Sequence, residues 1–159
     1  MILVLLGTQN YSFKRLLEKI QEMIDKKVIN DKVVVQAGRT KFESKDMEIL
    51  GMVSDRKFKK LIKEADLIIT HGGVGSIVTS LKMNKKVIAV PRLSGFDEHI
   101  NDHQIQIVDT FNKQGLLIGV IELTEFEDAL KRVKDFEPAK FISQTDNMIN
   151  LIENFIDNN

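Results

Sequence analysis

Two hydrophobic patterns alternate along the chain. Short, nearly continuous apolar runs predict six buried strands, at 1–6, 32–37, 47–50, 66–70, 86–90 and 115–120. Between them, apolar residues recur every three or four positions, which is typical of amphipathic helices. This spacing predicts helices at 12–28, 55–65, 74–83, 100–114, 124–133 and about 145–157.

Local signals refine two of these helices. Ser12 is placed to cap the first, and Thr124 with Glu127 forms a capping-box pattern. In the helix at 100–114, we expect Ile100 to face the core with Ile107 and Phe111. Strands joined by helical crossovers predict an α/β fold: an open, mostly parallel, Rossmann-like sheet with helices on both faces. The length of 159 residues predicts one domain, 1–159.

Composition narrows the function classes. Lys and Arg total 23, as do Asp and Glu, so the formal net charge is zero. This balance argues against a broad nucleic-acid-binding surface, which needs a basic excess. The chain has no cysteine, which excludes disulfides and thiolate metal sites. The apolar run at 1–6 is too short to span a bilayer, so we expect any membrane association to be peripheral or to come through a partner.

Glycine-rich turns follow the first and fourth predicted strands. Gly72, Gly73, Gly75 and Ser76 lie between a strand and a helix, and Gly7 with Thr8 follows the first strand. Backbone amides at a helix N-terminus favour a phosphate, and glycine allows its close approach. Neither turn has the spacing of a P-loop or of a G-x-G-x-x-G fingerprint. Two such turns on one sheet edge predict a diphosphate site; the alternative is glycine used for packing alone.

A polar segment follows the fifth strand. It concentrates Asp97, Glu98, His99, Asp102, His103 and Gln104 within eight positions. Three interpretations stay open: a metal site using the histidines, recognition of sugar hydroxyls, or a polar helix start capped by Asn101 or Asp102. Arg92, just before it, is expected to bind a phosphate or to pair with Asp97 or Glu98.

Three stretches together resemble a known family. "ADLIITHGGVGSI", "KKVIAVPR" and "EHINDHQ" resemble the donor-binding half of glycosyltransferase family 28, over roughly residues 1–120. The nearest resemblance is to the small subunit of two-component glycosyltransferases, which act in bacterial capsule and exopolysaccharide synthesis and in eukaryotic N-glycan assembly. The resemblance implies one half of a GT-B fold. It departs from MurG-type relatives at Thr79, where they carry a ribose-binding glutamate.

The resemblance also implies a function. We expect the donor-binding subunit of an inverting, UDP-sugar-dependent glycosyltransferase in polysaccharide biosynthesis. A membrane-anchored partner would complete the heterodimer and bring a lipid-linked acceptor, placing the chain in the cytoplasm at the inner membrane face. No cofactor or metal is expected, and the catalytic base is unassigned. The expected donor-binding residues are Gly7, Thr8, Gly72, Gly73, Gly75, Ser76, Arg92, His99, Asp102, His103 and Gln104.

Two other classes of function stay open at this point. One is a non-catalytic enhancer subunit that binds and stabilises a glycosyltransferase partner. The other is a metal-dependent hydrolase that uses Asp97, His99 and His103. Binding of UDP without a metal favours the glycosyltransferase, whereas stoichiometric metal favours the hydrolase.

Overall fold

A computed structural model describes residues 1–141. The strands are β1 (Ile2–Leu5), β2 (Val33–Gln36), β3 (Met47–Leu50), β4 (Leu67–His71), β5 (Lys86–Val90) and β6 (Ile118–Gly119). The α-helices are α1 (Lys14–Asp25), α2 (Asp55–Glu64), α3 (Val74–Lys82), α4 (His103–Lys113) and α5 (Phe126–Arg132). Short 3₁₀ turns lie at Ser94–Phe96 and Leu123–Glu125. The predicted helix at about 145–157 lies outside the described residues.

The strands form one parallel sheet in the order β3-β2-β1-β4-β5-β6. The chain builds outward from β1 in one direction and then crosses to β4 on the other side. This reversal creates a crevice at the carboxyl ends of β1 and β4, where open α/β sheets bind ligands. The register pairs Leu5 of β1 with Thr70 of β4, so the turns after these two strands are neighbours.

Alternate side chains of the strands supply two hydrophobic cores. In β1, Ile2 and Val4 pack on one face of the sheet, with Leu16 of α1 and Phe126 of α5. Leu3 and Leu5 pack on the other face, against α2, α3 and α4. Burial on both faces explains the nearly continuous apolar runs of the sequence. The predicted Rossmann-like fold is confirmed.

Several local predictions were wrong. Phe13, not Ser12, is the residue directly before α1, and no side chain caps this helix. The N–H of Phe13 donates to Thr40 Oγ1. The capping box at Thr124 and Glu127 does not form, because a 3₁₀ turn occupies Leu123–Glu125. Strand β6 is reduced to two residues at the sheet edge.

The start of α4 was also mispredicted. The helix begins at His103, so Ile100 precedes it and is 73% exposed instead of facing the core. The preceding segment contains a 3₁₀ turn and a left-handed Asp97 (φ 55°). Within residues 1–141, no helix combines the length and apolar character needed to cross a bilayer.

Candidate functional site

An open cleft of about 510 Å³ lies at the crevice between β1 and β4. The turn after β1, the turn after β4, the end of β2 and the start of α2 form its walls. Its lining residues are Gly7, Thr8, Gln9, Gln36, Val53, Asp55, Phe58, His71, Gly73, Gly75, Ser76 and Thr79. The two glycine-rich turns predicted to share a ligand therefore do share one cleft.

The imidazole of His71 occupies the floor of this cleft. Its ring lies between Gly7 and Gly73: a Cβ on Gly7 would lie 2.7 Å from His71 Nε2, and one on Gly73 would lie 2.2 Å from Cε1. Both glycines therefore make room for the ring, in addition to any ligand. Gly7 also has φ +79°, which disfavours any side chain.

His71 is neutral. It is 6% exposed, and burial lowers its pKa to about 3, with further lowering by the positive charges of Arg92 and His99. Its Nδ1 lies 3.3 Å from Gln104 Nε2, and its Nε2 lies 3.4 Å from Ser76 Oγ.

Two buried glutamines hold the turns in place. Gln36 brackets the Gly7 peptide, accepting from its N–H (3.3 Å) and donating to its carbonyl (3.1 Å). Gln104 accepts from the Gly72 N–H (3.1 Å). These two glycine amides, which the sequence suggested as phosphate donors, already have partners inside the protein. Gly72 serves packing, since a Cβ there would lie 2.8 Å from that of Gln104.

The N-terminus of α3 supplies the donors that face the cleft. Gly73 precedes the helix, and its missing side chain leaves the first turn without a side-chain cap. The first N–H groups of a helix have no acceptor inside it, and the helix dipole adds partial positive charge there. The Ser76 hydroxyl and the open side of Gly75, where a Cβ would meet nothing within 4 Å, lie in the same turn. This end of the cleft suits an anion.

The part of the cleft lining that lies before and within α2 is less polar. Val53 and Phe58 contribute apolar surface, with Asp55 at the start of α2 beside them. Thr79 donates its hydroxyl to the Gly75 carbonyl and so supplies no carboxylate to the cleft. An anion-binding end next to an apolar wall matches the two ends of a nucleotide.

Arg92 requires a correction. Its side chain is 1% exposed, and its guanidinium donates to the carbonyls of Leu6 (2.5 Å), Tyr11 (2.7 Å) and Glu98 (3.1 Å). It therefore ties the turn after β1 to the segment after β5, beneath the cleft. Neither a phosphate contact nor a surface ion pair is available to it here.

The acidic residues of the segment after β5 also bond within the protein. Glu98 is 2% exposed; its carboxylate binds Arg15 Nε (2.7 Å) and Nη2 (3.0 Å) and accepts from the Leu93 N–H. The carboxylate of Asp102 accepts from the N–H and hydroxyl of Ser94 and does not cap α4. These bonds fold the segment into a compact loop.

The histidines of this segment have different surroundings. His99 lines a smaller groove of about 330 Å³ that shares Thr8 and Gln9 with the cleft, and its ring stacks beside Tyr11 at 6.5 Å. His103 begins α4, with its Nδ1 buried and without a partner among the described residues. Over residues 1–141, no three His, Asp or Glu side chains converge on a point suited to a metal ion.

The structure adds cleft residues that the sequence reasoning did not select. His71 ends β4 directly before the glycines, and that position beside a candidate loop was its only signal. Gln36 was detectable as the one polar residue in the apolar run 33–37. Val53 and Phe58 carried no signal, because their role depends on α2 lying against the β1–β4 crevice.

Comparison with protein families decides the classification. The glycosyltransferase family 28 C-terminal domain matches residues 1–156. The chain belongs to this family. The resemblance in the three quoted stretches is thereby confirmed.

The chain is also similar to fungal transferase subunits. The chain is 34% identical over 142 residues, 87% of its length, to the "UDP-N-acetylglucosamine transferase subunit ALG13" of Kluyveromyces lactis, and covers 68% of that protein. It is 30% identical over 109 residues, 69% of its length, to the subunit of the same name from Candida albicans, covering 36% of it. The chain thus spans between about a third and two thirds of these curated relatives.

Solved structures agree on the fold. An NMR structure of ALG13 superposes with a TM-score of 0.61 at 20% identity, over 95% of this chain and 94% of that one. Acinetobacter baumannii MurG superposes with a TM-score of 0.53 at 16% identity, over 95% of this chain but 49% of MurG. The prediction of one half of a GT-B fold is confirmed, and this family 28 chain corresponds to a single half.

Proposed function

We propose that this chain is the donor-binding subunit of a UDP-sugar glycosyltransferase, with UDP-N-acetylglucosamine as its donor. The observation that carries the proposal is the cleft at the β1–β4 crevice, which joins the uncapped N-terminus of α3 to an apolar wall. The diphosphate would accept from the α3 amides, the Ser76 hydroxyl and the imidazole edge of His71. The uracil would pack against Val53 and Phe58.

The choice of sugar rests on the relatives' names, which specify UDP-N-acetylglucosamine transferase subunits. We place the sugar in the adjoining groove, which shares Thr8 and Gln9 with the cleft and is lined by His99. Gly7, Gly72, Arg92 and Gln104 then act by shaping the cleft. The assignment to capsule or exopolysaccharide synthesis stays a prediction.

Neutral hydrogen-bond donors of the protein, with no bound cation, would stabilise the departing diphosphate. Helix N-termini and hydroxyls can stabilise such a charge as it develops. No carboxylate or other base in the cleft is assigned to deprotonate an acceptor. We therefore propose that a second, membrane-anchored subunit supplies this group with the lipid-linked acceptor, and that this chain works at the cytoplasmic membrane face through that partner.

The donor site is tested by titrating the ¹⁵N-labelled chain with UDP in the presence of EDTA, with AMP as the matched control. We expect shift changes at Thr8, His71, Gly75 and Ser76 with UDP and little response to AMP. No UDP-specific response would contradict the donor-binding function and favour an enhancer subunit that only binds its partner. A response that requires added Mg²⁺ or Zn²⁺ would contradict metal-free binding.

The split-enzyme proposal has its own test. The isolated chain is incubated with UDP-N-acetylglucosamine and a polyprenyl-linked sugar acceptor, and product formation is measured. We expect no turnover, although the titration shows donor binding. Sustained turnover by this chain alone would contradict the need for a second subunit.

A further inference from the structure

Two backbone N–H groups fix the orientation of the Gln104 side-chain amide, and this orientation determines which of its atoms faces His71. Gln104 is the second residue of α4 and is 4% exposed. One end of its side-chain amide lies 2.9 Å from the Arg92 backbone nitrogen and 3.1 Å from that of Gly72. Both nitrogens are obligate donors, so this end must be the oxygen. The NH₂ end therefore points at His71 Nδ1, 3.3 Å away.

The protonation of His71 follows from this orientation. An amide NH₂ only donates, so Nδ1 must accept and carries no proton. A neutral imidazole has one N–H, which must then be on Nε2. The lowered pKa of His71, caused mainly by burial, agrees with a neutral ring. Nε2 is the ring atom beside Ser76 Oγ and Gly7, at the floor of the cleft.

We propose that Gln104 is a positioning residue that fixes His71 as the Nε2–H tautomer and so turns a neutral N–H donor toward the ligand's phosphate. This inference rests on the proposed function for the identity of the ligand, whereas the tautomer itself does not. The opposite tautomer would place a lone pair at the same point and repel phosphate oxygens. The amide of Gln104 therefore controls whether the floor of the cleft attracts or repels an anion.

Substitution of Gln104 by glutamate reverses the expected tautomer with little change in shape. A carboxylate still accepts from the Gly72 and Arg92 N–H groups, but it offers His71 only an acceptor. We expect His71 Nδ1 to become protonated in Gln104→Glu. Gln106→Glu is the matched control, because it adds the same charge on the same helix at an exposed position.

The tautomer is read from ¹⁵N spectra of the imidazole rings, since protonated and unprotonated nitrogens have well-separated shifts. The chain has three histidines, which can be assigned individually. We expect a protonated Nε2 and a bare Nδ1 for His71 in the wild type and in Gln106→Glu. A protonated Nδ1 in the wild type would overturn the proposal, and this measurement requires no variant to fold.

The consequence for the ligand is measured with UDP and uridine. Loss of one hydrogen bond to a charged group predicts at least about tenfold weaker UDP binding in Gln104→Glu. Uridine binding should change little. Gln104→Met, which adds no charge and leaves the tautomer free, should weaken UDP less than Gln104→Glu. Unchanged UDP affinity in Gln104→Glu, with Nδ1 protonated and Nε2 unprotonated, would overturn the positioning role.

These results separate the two proposals. If the wild type shows the Nε2–H tautomer but binds no UDP, the donor-binding function fails, and the role of Gln104 toward UDP fails with it. If UDP binds and the wild-type tautomer is Nδ1–H, the donor-binding function stands and the inference about Gln104 fails.

Discussion

The turn after β4 and the segment after β5 carry comparable polar residues, yet they differ in what those residues contact. In the turn, Gly73, Gly75 and Ser76 at the start of α3 line an open cleft. In the segment, Arg92 and Glu98 are almost fully buried and bond to carbonyls, an amide and Arg15. A polar cluster in a sequence therefore indicates a ligand site only when its hydrogen bonds are not used to fold the loop that carries it.

Among the tests of this comparison, we expect the largest effect on the stability of the protein, from a substitution in the segment after β5. Replacing Arg92 by Met leaves three carbonyls without their donor and removes a positive charge near Glu98, which keeps its ion pair with Arg15. We expect the free energy of unfolding to fall by about 3–5 kcal/mol, measured by urea denaturation. Arg92→Lys should recover part of this loss, because it keeps the charge but not the planar fork. Wild-type stability in Arg92→Met would contradict a structural role.

The next largest effect is the pH dependence of stability that the buried imidazole of His71 causes. His71 has a folded-state pKa of about 3, below its ordinary value of 6.5, so the unfolded chain binds the additional proton. Its contribution to stability is present above pH 6.5 and is lost as the pH falls toward 3. Between pH 7 and pH 5 it amounts to about 2 kcal/mol.

The measurement for His71 is the difference in unfolding free energy between pH 7 and pH 5, in the wild type and in His71→Asn. The charged groups that act on this ring are Arg92 and His99. His99, whose pKa is also lowered, is present in both proteins and cancels in the comparison. Equal pH slopes in the two proteins would show that His71 is not held neutral.

A smaller effect separates ligand binding from folding within the turn after β4. A Cβ at Gly75 meets no neighbour within 4 Å, so Gly75→Ala should gain about 0.5–1 kcal/mol of stability in the helix. The same methyl group projects into the cleft and should weaken UDP binding about tenfold, or 1.4 kcal/mol. Titration calorimetry and thermal unfolding measure the two effects.

The matched control for Gly75→Ala is Gly95→Ala. Gly95 also has open space at its Cβ, but it lies in the 3₁₀ turn after β5 and outside the cleft lining. Its substitution should leave UDP affinity unchanged. Equal UDP binding by both variants would place the diphosphate elsewhere than at α3.

The smallest effect concerns Asp102, which the family resemblance implied as a donor-binding residue. Its carboxylate accepts two bonds from Ser94 at an exposed position, so Asp102→Ala should cost at most about 1 kcal/mol of stability. The ratio of UDP-N-acetylglucosamine to UDP affinity should change by less than about twofold, or 0.4 kcal/mol. His99→Ala should lower that ratio. The reverse result would return the sugar contact to Asp102.

The sequence by itself determined the alternation of strands and helices, the parallel sheet and the two glycine-rich turns that meet at one edge of it. These follow from local periodicity and from the position of glycines between elements, which need no knowledge of distant contacts. The three quoted motifs also sufficed to place the chain in family 28, as the match over 1–156 bears out.

Only the tertiary structure decided which polar groups are available to a ligand. The polar groups of Arg92 and Gln104 form hydrogen bonds with partners that lie far away in sequence, such as the Leu6 carbonyl and the Gly72 amide. His71 and Gln36 enter the cleft because β1, β2 and β4 are neighbours in the sheet. Hydrogen-bond partners are set by which strands and turns meet in space, and a linear pattern does not contain that pairing.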